Sequence, residues 1–166
     1  AYPIEAVTTM DNVARSVESD PTYRDIIESS RSARRQTVAD GIVAAAREIA
    51  ETTDIAAICA FTSSGTTVSL VARERPRVPI IAMTAEETTL RRLCLPSGAH
   101  CVLTPELARF KQAVVNAAKA ARDFGFADET NQIVVMAGVP FNVPGTTNIL
   151  RIAPCDERLI YRTDPE

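Results

Sequence analysis

Hydroxyl side chains crowd the segment Thr62-Ser63-Ser64-Gly65-Thr66-Thr67, and that composition suits the binding of a phosphate dianion. Successive backbone N–H groups at the positive end of a helix dipole, with hydroxyls beside them, supply the donors such an anion needs. The segment follows an apolar run of strand length, Ile55 to Phe61, and opens a helical pattern. It therefore falls at a strand end, where ligands bind in open α/β sheets. Ser and Thr are also the preferred N-caps of any helix, so the same residues read equally well as a cap without a ligand. The G-K-[ST] ending of a nucleotide-cleaving P-loop is missing, and triphosphate hydrolysis is not indicated.

A second cluster of the same character, Pro144-Gly145-Thr146-Thr147-Asn148, lies in a long connection near the carboxy end. If the strands preceding the two clusters are neighbours, the clusters meet at a topological switch point; otherwise the second is a tight turn into an edge strand. Other chemistry is scarce. His100, the only histidine, abuts an apolar strand beside Cys101 and is read as structural. Cys59, Cys94, Cys101 and Cys155 form no C-x-x-C pair and read as buried free thiols, with no zinc site or disulfide framework. Arg73, Arg75 and Arg77 around Pro76 read as a solvated charge run, with an anion or subunit contact as the alternative. No G-x-S-x-G, H-E-x-x-H or G-x-G-x-x-G motif is present, so no catalytic residue and no metal site is assigned.

The elements that must position these residues alternate in period. Val38, Ile42, Ala46 and Ile49 space as a helix, and the run Ile55–Phe61 is a strand buried on both faces. A helix follows near 67–75, then the strand Ile80–Met83, a helix near 86–95 and the strand Ala99–Leu103. Leu107, Phe110, Val114, Ala117 and Ala121 give another helix, stopped by Gly125, before the strand Gln132–Ala137. Residues 138–148 carry no helical period, so the run Ile149–Ala153 lies antiparallel beside the preceding strand. The expected fold is α/β: a five-stranded mixed sheet, four parallel strands plus an antiparallel edge strand, between helices in three α/β/α layers.

The chain has 166 residues, about one domain. Its 18 basic and 21 acidic residues give a net charge of −3, which offers no footprint for nucleic acid or an anionic membrane. No apolar run approaches the ~18 residues of a span and no signal pattern opens the chain, so a cytoplasmic location is expected. Residues 1–18 stand apart: after Pro3, Ile4, Val7, Met10, Ala14 and Val17 line one helical face that needs a cover. A polar linker over 19–35 separates this helix from the main domain, 36–166, and the chain is read as a piece of a longer polypeptide that covers the helix.

Thr62-Ser63-Ser64-Gly65-Thr66-Thr67, continuing through Leu70-Val71-Ala72-Arg73-Glu74-Arg75-Pro76 to Pro79-Ile80-Ile81-Ala82-Met83-Thr84, resembles the carboxy-terminal domain of pyruvate kinases. Tyr2-Pro3-Ile4-Glu5-Ala6-Val7 with Met10 is similar to the last helix of that family's catalytic barrel, and Gly145-Thr146-Thr147-Asn148 with Arg151 to its late effector loop. The resemblance spans Tyr2 to about Ala153. It implies a domain that regulates the kinase, which passes phosphate from phosphoenolpyruvate to ADP, and that helps build a homotetramer. Its partners would be the catalytic barrel of the same polypeptide and a phosphorylated effector. Magnesium, potassium and ADP or ATP are implied for the parent only, so the segment alone is expected to be inactive. Thr62, Ser63, Ser64, Gly65, Thr66 and Thr67 would match the first phosphate-binding loop, with Gly145 and Thr146 opposite. Members that bind a sugar bisphosphate often carry Lys and Arg where Ser63 and Thr66 stand. Hydrogen bonds to charged groups are worth roughly 1.5–3 kcal/mol each, so this departure favours a monophosphate effector or none. Residues 139–144 lack the tryptophan and basic residue of some animal and yeast members, which points to a bacterial relative. A free-standing phosphometabolite-binding module is the alternative.

Overall fold

Strand β1 (Ile55–Phe61) is apolar on both sides of its pleat, and every residue in it except Ala56 is buried. Burial on both faces requires a cover above and below, which sets the architecture around it. The computed structural model describes residues 1–30, 37–107, 109–141, 143 and 146–163. By its internal contacts the chain divides into Ala1–Arg34 and Arg35–Glu166.

In the larger unit β1 is central to a five-stranded sheet of order β3-β2-β1-β4-β5, with β2 (Ile80–Thr84), β3 (Ala99–Leu103), β4 (Gln132–Gly138) and β5 (Thr147–Pro154). β1 to β4 run parallel, and β5 is antiparallel to β4 in a register that sets Val134 opposite Ile152. The helices are α3 (Val38–Thr52), α4 (Thr66–Arg73), α5 (Glu87–Arg92), α6 (Phe110–Asp123) and α7 (Glu157–Thr163). On one face Cys59, Ile81, Ile133 and Val135 pack with Val114, Ala117 and Ala121 of α6 and Ile160 of α7. On the other, Ile58, Ala60, Ile80, Val134 and Met136 pack with Val43, Ala46 and Ala50 of α3 and Val68 and Val71 of α4. This is the expected mixed α/β/α sheet with an antiparallel edge.

Several local expectations are corrected. α3 turns Val43, Ala46 and Ala50 fully inward, while Val38 is exposed and Ile42 and Ile49 are only partly covered. The small residues lie against the sheet because helix and strand backbones approach closely there. Leu107 precedes α6 rather than belonging to it, and α7 was not expected: it is short and polar, anchored by Ile160. The Arg122 guanidinium donates to the Cys155 carbonyl and pairs with Glu157 at 2.8 Å, which ties α7 to α6. The arginine run is not simply solvated. Arg73 pairs at 2.6 Å with the buried Asp40, Arg77 pairs at 2.7 Å with Glu51, and Arg75, at φ 48, donates to Ser97 Oγ.

The smaller unit holds α1 (Pro3–Glu18) and α2 (Pro21–Ser29). The stretch 19–35, read as a linker, contains α2 because Asp20 accepts the Thr22 N–H at 2.8 Å and Pro21 takes the first helical position. Residues 31–36, with the expected start of the main domain, lie outside the described residues. α1 has no buried residue, and Ile4, Val7, Met10 and Val17 are all exposed.

Candidate functional site

The chain leaves β1 toward β2 and β3 on one side and returns to form β4 on the other, so a switch point falls between β1 and β4. There Thr67, in the first turn of α4, and Thr147, at the start of β5, share a hydrogen bond of 2.7 Å between two buried hydroxyls. The two hydroxyl clusters therefore meet. They form one side of a cleft that is open to solvent. Thr84 at the end of β2 and Glu86 beyond it, Thr104 and Glu106 after β3, and Phe141 in the β4–β5 connection complete it.

Of the residues singled out from the sequence, Thr62, Ser63, Ser64, Thr66, Thr67 and Thr146 line this cleft. Gly65 does not line it. It adopts φ +89 as the N-cap of α4, and a Cβ there would stand 3.3 Å from Leu93 Cδ2, so it faces α5. Its N–H donates to Thr62 Oγ1 at 2.9 Å, which commits the Thr62 hydroxyl to the loop itself. No side chain caps α4, so the simple capping explanation of these hydroxyls is not realised. Ser64 and Thr66 are exposed, and their hydroxyls lie 3.0 Å apart at the mouth of the helix. Gly145 lies outside the described residues.

The loop is held from behind by side chains that sequence reasoning passed over. Thr89 Oγ1 donates to the Ser63 carbonyl at 2.8 Å, and Arg92 donates to the Ser64 carbonyl at 3.1 Å. Thr89, Arg92 and Leu93 recur at helical spacing, so their common face was readable; which loop it serves was not. Across the cleft Asn148 braces the other connection, accepting from Val139 N–H at 2.9 Å and donating to Val139 O at 2.7 Å. Thr146 Oγ1 donates to the Val143 carbonyl at 2.7 Å. Gly138 is needed where it stands, because a Cβ would come within 2.7 Å of the Thr146 backbone oxygen.

Elsewhere the chemistry is sparse. His100 is exposed, its ring against Phe126 at 4.7 Å and Phe124 at 5.6 Å. Cys59 and Cys155 are buried, and burial pushes both thiols up, whereas Cys94 is exposed and corrects the expectation of four buried thiols. It follows the C-cap of α5, where the last turn faces water. Among the described residues no three His, Cys, Asp or Glu side chains converge as a metal site, and no helix is long and apolar enough to cross a membrane.

Fold and cleft together define an open α/β domain with a hydroxyl-rich crevice at its switch point. The family described as the pyruvate kinase alpha/beta domain matches residues 40–153, and the chain belongs to that family. It is 40% identical over 152 residues to a pyruvate kinase of Methylorubrum extorquens and 38% identical over 152 residues to one of Agrobacterium vitis. Each match covers 92% of this chain and 32% of the relative, so the chain spans about a third of their length. The structure of Cryptosporidium parvum pyruvate kinase in complex with ADP aligns with a TM-score of 0.76 at 25% identity, over 93% of this chain and 31% of that one.

Proposed function

We propose that this segment is the regulatory and assembly domain of a pyruvate kinase, an enzyme transferring phosphate from phosphoenolpyruvate to ADP, and that its cleft takes a phosphate monoester as effector. The chemistry of transfer, with magnesium, potassium and ADP or ATP, is assigned to other parts of the parent. The catalytic barrel is the proposed cover for the apolar face of α1, and a homotetramer in the cytoplasm is the proposed assembly. The observation that carries the effector reading is the uncapped start of α4, with the Ser64, Thr66 and Thr67 hydroxyls beside it at the switch point. A helix start presents free N–H donors and positive potential to an anion. The described residues lining the cleft include Glu86 and Glu106 and no lysine or arginine. Such a lining tolerates one phosphate at the helix and opposes a second across the cleft, while the carboxylates suit the hydroxyls of a sugar.

The test is Ser64→Asp. Ser64 is exposed and precedes α4, where a carboxylate suits the helix dipole, so fold is preserved. A negative charge near the dianion costs on the order of 1–4 kcal/mol, roughly fivefold or more in affinity. The expected result is a thermal shift of residues 1–166 with glucose 6-phosphate or adenosine monophosphate, lost in the Asp variant at an unchanged ligand-free melting temperature. No shift from either ligand, or an equal shift in the variant, contradicts the effector reading.

A further inference from the structure

We propose that Thr37 is a phosphorylation site for an arginine-directed protein kinase, and that its phosphate draws Arg73, at the end of α4, away from Asp40 of α3. Thr37 is exposed, and its backbone is extended at φ −113 and ψ 156. Extended segments are what peptide-binding grooves take. The sequence around it reads Arg34-Arg35-Gln36-Thr37-Val38. Arg34, Arg35 and Gln36 lie outside the described residues and enter by sequence alone. Two guanidinium groups, two and three positions before a hydroxyl, suit the acidic surface of a kinase that selects basic substrates. Val38, the next residue, is apolar yet 71% exposed, which leaves it free for an apolar pocket beside the reacting hydroxyl.

The contacts of the hydroxyl decide what a phosphate does there. Thr37 Oγ1 accepts the Asp40 N–H at 3.2 Å and donates its own proton to Asp40 Oδ2. Asp40 is buried, and its other oxygen, Oδ1, pairs with Arg73 at 2.6 Å. One carboxylate therefore links the Thr37 hydroxyl to the last residue of α4. In the transfer the hydroxyl gives its proton to the kinase's base, its oxygen bonds the γ-phosphorus of ATP, and the bond from that phosphorus to ADP breaks. Phosphothreonine and ADP are the products. Asp40 loses its hydroxyl donor, and a group of charge about −1.5 to −2 stands beside the carboxylate instead. Arg73 is exposed and is held by the same carboxylate, so it exchanges partners and meets the phosphate, which a guanidinium binds as a bidentate fork. The opposite end of α4 opens onto the cleft, so the modification changes how that helix is anchored at its far end. The inference stands whether or not the cleft takes a phosphate.

The experiment incubates folded residues 1–166 with magnesium ATP and the catalytic subunit of cyclic-AMP-dependent protein kinase, the probe for an arginine-directed enzyme, followed by intact mass and peptide mapping. The expected product carries one phosphate, on Thr37. Thr37→Ala takes up none, and Arg34→Ala with Arg35→Ala slows uptake at least about tenfold. Hydrogen exchange then compares the two forms of the unmodified sequence: amide protection changes over 37–41 and 72–74, while β1 and β4 stay as they were. No uptake, uptake only after unfolding, or phosphate on another residue such as Ser16 after Arg15 overturns the site. Unchanged exchange over 72–74 overturns the exchange of partners by Arg73. Both decisions rest on the chain without substitutions, so they hold even if a variant folds poorly.

Discussion

Helices α1 and α6 carry similar apolar stripes, yet α6 buries Ala113, Val114, Ala117, Ala118 and Ala121 while α1 buries nothing. Both stripes follow from spacing, and both helices form. The difference lies in what faces them: α6 closes one side of a sheet whose strands are apolar on both faces, whereas Ile4, Val7 and Met10 meet solvent. Periodicity therefore reports that a face is built for burial and leaves open what buries it. For α6 the sheet answers that question within the chain. For α1 the proposed answer is another part of the parent enzyme.

The sharpest way to break this comparison is to place the same charge on both stripes. Val114→Asp buries a carboxylate with no partner, a loss of several kcal/mol against a total stability of about 5–15, so the larger unit should not fold cooperatively by circular dichroism. Val7→Asp should leave its melting temperature unchanged. Equal damage from both would mean that the α1 stripe is already buried within the segment.

The next effect concerns association. An exposed apolar stripe promotes self-contact, so residues 1–166 should sediment as an oligomer at high concentration, and Val7→Asp with Met10→Asp should weaken it. A monomer at high concentration counts against both the assembly reading and the stripe's role. A smaller loss is expected at the switch point, where Thr147→Val removes one partner of a buried hydroxyl pair. Leaving Thr67 unpaired costs about 1–3 kcal/mol, measurable by urea unfolding, whereas Ser64→Ala at the exposed mouth should cost under about 0.5 kcal/mol.

The smallest effect is with acid. The hydroxyl and N–H of Thr130 hold Asp128 below the usual carboxylate range, and the Arg158 guanidinium and N–H do the same for Asp156. A lowered folded value stabilises above the unfolded value, near about 4, and is lost as pH falls through the folded one. Asp128 is exposed and Asp156, half-buried, pairs with an exposed Arg158, so the loss should be slight, seen as faster amide exchange around Thr130 and Arg158 in acid before global unfolding.

The sheet was legible because its strands are continuous apolar runs and because residues 138–148 have no helical period, which forces β5 to be antiparallel. The meeting of the two hydroxyl clusters was legible only as a conditional, since strand order is a long-range property. What escaped was the support behind the loop. Thr89 and Arg92 are ordinary surface-helix residues until the fold brings the Ser63 and Ser64 carbonyls to them. Gly65 among hydroxyls suits a phosphate loop by sequence, and its left-handed φ and the packing of Leu93, which also call for its missing side chain, were not legible there. α7 escaped because one buried residue, Ile160, carries it.

The central claim, that the cleft at the switch point receives a phosphate monoester at the start of α4, is most directly tested by amide chemical shifts. Isotope-labelled residues 1–166 would be titrated with glucose 6-phosphate and, as a control, with glucose. The account predicts saturable shifts at Thr66, Thr67, Val68 and Thr146 with the phosphate ester and none with glucose at the same concentration. Shifts confined to the Arg73–Arg77 region, or no saturable shift at all, would contradict it.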